Sequence, residues 1–432
     1  MNEKLLQYIW KNQYFNKQSL CTEQGEPIQI VFPGNFNTEE GPDFTEAVII
    51  IGEHKWIGSV EIHIAATDWH QHQHQKNKQY NNVILHVVWR NNAAATNEAQ
   101  QVLPVLVLAN RVSGMLLNHY EQLMQSPATI PCTAYVSNTL SEIAWLKWKE
   151  TLVAERLQRK AQKVLALFSE ANSHWEQCFW WFLAANFGMK QNKLLFEAVA
   201  KSIDIKILAK HKLQLIQLEA LLLGQAHLLP ADNNHSDTYI ALLQKEYAFL
   251  KTKYQLAVVP FLPNHLRMRP GNFPAIRLAQ LAKLIQQSVH LFSAIKEKPD
   301  YHHLINLFNV TANDYWHYHY QPLKESNYQP KKLGADAINH LLINVIAPAL
   351  FAYAQYHQLE ELKQQCIHLL MDIPAENNRI TKQWQALQLK SKSAFDSQAF
   401  TELQTHYCDA KGCLQCAVGF AFLRRDNEQF KS

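Results

Sequence analysis

EEGPDF, residues 39–44, and GSVEIH, residues 58–63, are the stretches on which the fold of the front of the chain turns. Phe44 to Ile51 is rich in β-branched residues and stops at Gly52. Trp56 to Ile64 then alternates, with Ile57, Ser59, Glu61 and His63 on one face and Val60 and Ile62 on the other. Period-2 patterning of this kind predicts strands. The two segments read as neighbouring strands of one hairpin. Asp43 starts the first and Glu61 lies on the second, so the hairpin can bring two carboxylates together. Such a pair is a hard oxygen site that suits Mg²⁺ or Mn²⁺. A cation held there can orient a water and neutralise phosphoryl charge. His63 shares the face of Glu61, as a third ligand or as the group that handles the water's proton.

Working outward, Glu3 to Lys11 predicts a short amphipathic helix and Pro27 to Phe32 a strand. Asp68 to Tyr80 is polar and reads as helix or loop. Val83 to Trp89 is an apolar run fit for a buried strand, and Val102 to Leu108 is a further strand. After about residue 138 the period becomes helical and remains so. The expected class is therefore α+β followed by α: a mixed-sheet domain over 1–125, then a larger irregular helical domain over 126–432 that includes the cysteine-rich tail.

Hydrophobic residues make up 47% and charged residues 18% of the 432 positions, which excludes a disordered chain. The longest apolar stretch, Leu341 to Ala354, is interrupted by Asn344 and Pro348, so no membrane span is expected. No signal peptide is read at the N-terminus. Seven scattered cysteines argue against a disulfide framework and for a reducing cytoplasm. Residues 1–125 hold 8 Lys and Arg against 12 Asp and Glu, with 7 of the 21 His, while the remainder holds 33 against 25. An acidic, His-rich front with a basic remainder suits a metal site joined to something that takes anions. No glycine-rich run precedes a Lys-Ser/Thr pair, so no nucleoside triphosphate loop is expected.

Three further features carry chemistry. In DWHQHQHQ, His70, His72 and His74 alternate. On a strand they would share a face and could bind a transition metal, on a helix His70 and His74 would share a face instead, and as a solvated connection they could contact phosphate when protonated. His86 reads as a satisfied core histidine. In the tail, Cys408, Cys413 and Cys416 have metal-like spacing, with Cys132 as the candidate fourth ligand. Four thiolates suit zinc or an iron–sulfur cluster. Arg267, Arg269 and Arg277, in RMRPGNFPAIRLAQLA, surround a proline-rich turn entering a helix, where arginine forks can bind the phosphates of nucleic acid.

Pro42-Asp43 followed by Glu61-Ile62-His63 resembles the PD-(D/E)XK nuclease signature, and the expected helix–strand–strand–strand–helix–strand order over about residues 1–110 is similar to that superfamily's core. The resemblance implies a metal-dependent nuclease with Asp43 and Glu61 as metal ligands. His63 stands where that superfamily has its lysine. Some of its members hold an iron–sulfur cluster with one distant and three clustered cysteines. The whole chain also resembles an uncharacterised bacterial family through GPDF, GSVEIH with DWHQHQHQ, YNNVILHVVW, the arginine segment and the cysteine-rich tail. The function expected is divalent-metal-dependent phosphodiester hydrolysis on nucleic acid. The alternatives are a decayed nuclease core that only binds nucleic acid or acts as a scaffold, and a metalloenzyme built on the histidine cluster. Substrate identity and oligomeric state are not legible.

Overall fold

A computed structural model describes residues 1–232, 236–288 and 290–424. Its contacts gather the chain into two units, Met1–Trp145 with the segment from Leu403 onward, and Leu146–Glu402.

The first unit opens with helix α1 (Glu3–Asn12), capped by the Asn2 side chain on the Leu5 N–H. Leu5, Leu6, Ile9 and Trp10 are buried on one face, each worth roughly 1.5–3 kcal/mol. Then come strands β1 (Ile28–Phe32), β2 (Asn35–Phe36), β3 (Phe44–Ile51) and β4 (His54–Ala65), a short helix α2 (Asp68–Gln71), and strands β5 (Val83–Arg90) and β6 (Val105–Val107). The sheet order is β1-β3-β4-β5-β6, with β2 also pairing β3. β1, β2 and β4 run antiparallel to β3, whereas β5 is parallel to β4 and β6 to β5. β4 is thus the seam between an antiparallel and a parallel half.

Two local features shape the seam. A β-carbon on Gly58 would sit 2.5 Å from the Asn82 carbonyl oxygen and 2.5 Å from Ile84, so only glycine lets β5 enter this close to β4. The β3–β4 register slips between Phe44 and Ala47, and Glu46 lies there at φ +59°. A bulge of this kind re-aims the strand end that carries Asp43. Parallel strands need a crossover, and here it is built of short turns rather than one long helix. Trp69, Tyr80, Val83, Ala95 and Leu103 pack together beneath it, and the Trp69 Nε1–H donates to the Thr96 carbonyl at 2.9 Å.

The cysteine tail belongs to this first unit and not to the helical part. Aromatic packing is the reason. Phe422 lies 4.6 Å from the ring of His119 and 4.3 Å from that of Tyr135, and Phe420 meets Tyr8 and Tyr14. Lys411 donates to the Met124 carbonyl. The first unit also runs to Trp145, past the expected boundary at 125.

The second unit is largely helical, with one small hairpin (His319–Gln321 with Lys324–Glu325). The stretch Ala335–Tyr356 is long and apolar enough to cross a membrane. However, 72% of its most apolar window is buried in the protein, as in the core helix of a globular unit.

Candidate functional site

Asp43 enters β3 from a turn in which Gly41 has φ +119°, open to glycine but not to side-chain-bearing residues. Its backbone N–H donates to Glu61 Oε2 at 3.0 Å. Its own carboxylate accepts from the Ile62 N–H at 3.1 Å and from Gln7 Nε2 at 2.8 Å. The two carboxylates are therefore neighbours, and α1 reaches them through Gln7. Glu61 is 5% exposed. Burial raises both carboxyls well above the ordinary range, and the neighbouring Glu61 raises Asp43 further. Glu3 adds to the negative field at both. Sequence patterning gave no sign of Gln7 or Glu3, because nothing local announces where α1 docks.

His63 stands on the same face of β4. Its Nε2 is 3.5 Å from Glu61 Oε1, and its Nδ1 is 2.8 Å from His86 Nε2. The β4–β5 register pairs Glu61 with His86, which places His86 directly behind the site. The expectation of a satisfied core histidine holds only in part, since His86 Nδ1 has no hydrogen-bond partner. Burial, with the neighbouring imidazoles, depresses His63 to about 2 and His86 to about 3. Both rings are neutral at physiological pH. His63 therefore cannot supply the permanent positive charge that a lysine would.

The three alternating histidines do not share one face. α2 ends at Gln71, and Gln73 turns into the left-handed region at φ +59°. His74 is thereby folded under, 8% exposed and 3.3 Å from Glu61 Oε1, with Tyr80 stacked on it at 3.8 Å. His72 is exposed, with its ring 5.1 Å from that of His63. His70 leaves the group: it is exposed, and its Nε2 pairs with the Ala94 carbonyl at 2.8 Å. The segment is a short helical turn with a left-handed break, so neither the shared face of a strand nor a helical face common to His70 and His74 is formed.

Cys132, Cys408, Cys413 and Cys416 are all buried in the first unit, and none is in a disulfide. Cys132 interacts with Cys416 and Cys413, and Cys408 with Cys132, Cys416 and Cys413. Burial pushes Cys132 up to about 12 and Cys413 up to about 11. Gly419 lets the last helix, Ala417–Arg424, close over this turn, since a β-carbon there would lie 2.1 Å from the Cys413 carbonyl oxygen. Their sulfurs are soft donors of the kind a thiolate-bound metal takes. Of the remaining cysteines, Cys178 and Cys366 are buried and Cys21 is exposed.

In the second unit, Arg267 and Arg269 are exposed. Arg277 is not. It is 8% exposed, and its guanidinium donates to Gln280 at 3.2 Å and Asn272 at 2.5 Å. Two of its guanidinium nitrogens hold the turn at the head of its own helix, while its buried Nε has no hydrogen-bond partner. Trp316 is fully buried and donates to Glu219 at 2.9 Å, so it offers no face for base stacking.

A family described as "Protein of unknown function (DUF2851)" matches residues 3–379. The chain belongs to that family. The matched span includes the carboxylates, the histidines and the arginine segment, and ends before the cysteine tail. No curated protein and no solved structure matches the chain.

Proposed function

We propose that the first unit is a divalent-metal-dependent phosphodiesterase of the PD-(D/E)XK kind, acting on nucleic acid in the cytoplasm. The observation that carries this reading is the meeting of Asp43 and Glu61 at the antiparallel–parallel seam, joined by one hydrogen bond from the Asp43 N–H to Glu61 Oε2. Asp43 and Glu61 would hold Mg²⁺ or Mn²⁺, which supplies charge neutralisation and an activated water. Gln7 and the Ile62 N–H fix the Asp43 carboxylate, and Glu61 faces both Asp43 and the imidazoles. His63 is cast as a neutral ligand or proton acceptor in place of the lysine. Arg267 and Arg269, together with the exposed His70 and His72, are the proposed nucleic-acid contacts. Cys132, Cys408, Cys413 and Cys416 would hold zinc or an iron–sulfur cluster that clips the tail to the sheet domain.

The neutrality of His63 favours a second reading, a nucleic-acid-binding or scaffold protein that does not cleave. Cleavage assays on single-stranded, double-stranded and RNA substrates with Mn²⁺ separate the two. The proposal expects metal-dependent cleavage that Asp43→Ala abolishes while the circular-dichroism spectrum stays native. Cleavage retained by Asp43→Ala contradicts it. Metal-independent binding without cleavage supports the second reading.

A further inference from the structure

Beside the carboxylate pair, three imidazoles converge on one point. One ring nitrogen from each of His63, His72 and His74 lies within 4.8 Å of the others. Two of these rings are aimed by what holds them. His63 Nδ1 is tied to His86 Nε2, which leaves Nε2 facing Glu61 Oε1 at 3.5 Å. His74 is stacked between Tyr80, at 3.8 Å, and His63, at 5.3 Å with 16° between the planes. Its Nε2 faces the same Glu61 oxygen at 3.3 Å, is buried, and has no hydrogen-bond partner. An unpaired buried nitrogen costs about 1–3 kcal/mol. Packing alone does not account for this unpaired nitrogen, nor for three rings that each bring a nitrogen to one point rather than to a backbone carbonyl, as His70 does.

The Glu61 carboxylate is divided between two neighbourhoods. Oε2 takes the Asp43 N–H, while Oε1 faces the imidazoles. We infer that His63, His72 and His74, with Glu61 Oε1 as a fourth donor, form a transition-metal site of the Zn²⁺ class, distinct from the hard-cation position at Asp43. Imidazole nitrogens favour Zn²⁺ and its neighbours in the first row over Mg²⁺, which takes oxygens. Three imidazoles and one carboxylate match a zinc coordination number of four. Zinc–nitrogen bonds of roughly 2.0–2.1 Å require the rings to draw inward, and exposed His72, beside the turn at Gln73, is the ligand that moves. His86 acts as a positioning residue, holding the His63 ring by its other nitrogen. Where the phosphodiesterase reading holds, Glu61 bridges two cations; the histidine site itself stands without that reading.

The test is Co²⁺ titration of the full chain after stripping with a chelator, in a Cys132→Ser, Cys408→Ser background and in excess Mg²⁺. Visible d–d absorption without a thiolate charge-transfer band is expected, at one equivalent. His72→Ala removes an exposed side chain and leaves the core untouched, so it should weaken Co²⁺ by more than the roughly 10–100-fold typical of losing a supporting group. His70→Ala should leave the Co²⁺ spectrum and affinity unchanged. Asp43→Ala should lose cleavage and keep the Co²⁺ spectrum, which separates failure of this inference from failure of the phosphodiesterase reading. An unchanged spectrum and affinity in His72→Ala, displacement of Co²⁺ by Mg²⁺, or loss of the spectrum in Asp43→Ala would each overturn the inference.

Discussion

Around Glu402, in the helical unit, buried charge is matched by charge: Arg159 donates to both carboxylate oxygens at 2.6 and 2.5 Å, and Arg156 adds a third bond at 3.2 Å. Nearby in the same unit, Asp396 takes Lys149 at 2.7 Å, and Lys160 donates to Asn344 and Gln398. Around Glu61 the sheet unit does the reverse. Two carboxyls are neighbours under the field of a third, and the buried His74 Nε2 faces Glu61 without a hydrogen-bond partner. The first arrangement is complete as it stands and serves the fold. The second is left incomplete by the protein's own groups, which is what a ligand site requires. Comparing them separates buried polarity that holds the chain together from buried polarity that awaits a cation.

Breaking the complete region should have the largest effect on stability. Glu402→Ala leaves two guanidiniums without their anion and should cost about 3 kcal/mol or more, read by urea denaturation of the whole chain. Glu61→Gln should not cost stability in metal-free buffer at pH 8, because it replaces a carboxylate that burial disfavours. If both substitutions destabilise equally, the contrast fails.

The same contrast has a pH signature of opposite sign with and without metal. Asp43 and Glu61 are raised from the ordinary carboxylate range to about 7 and about 8. Their contribution to metal-free stability is fully present below the unfolded carboxylate pKa. It is lost as pH rises through those folded values. Saturating Mn²⁺ should reverse the trend, since binding expels the protons. It should add about 2.7 kcal/mol at a hundredfold excess over Kd. Parallel pH profiles with and without Mn²⁺ would contradict the site.

Smaller effects sharpen the histidine half. His86→Leu preserves packing but frees the His63 ring, and should weaken transition-metal affinity about 10–100-fold. His70→Ala, whose ring is held by the Ala94 carbonyl, should leave metal affinity within about twofold, inside the few tenths of a kcal/mol expected for surface changes. Equal effects from the two would show that the imidazoles act as a generic polar surface.

The sheet unit was legible where patterning is local. Strand alternation put Glu61 and His63 on one face, and a short hairpin brought Asp43 beside them. The histidine run, open in sequence to a strand, a helix or a solvated connection, is a short helical turn in space. The left-handed Gln73 breaks it, burying His74 and releasing His70. Gln7 was invisible because it reaches Asp43 only after α1 docks. The pairing of Arg156 and Arg159 is not legible locally either, because their acidic partner, Glu402, comes more than 240 residues later. The tail's return to the sheet unit has the same cause: rings at 420 and 422 meet rings more than 280 residues away.

The most direct test of the central claim is anomalous scattering from crystals soaked in Mn²⁺. The account predicts a peak within about 2.5 Å of carboxylate oxygens on both Asp43 and Glu61. Carboxylates resolved at full order, with saturating Mn²⁺ and no peak between them, would contradict it.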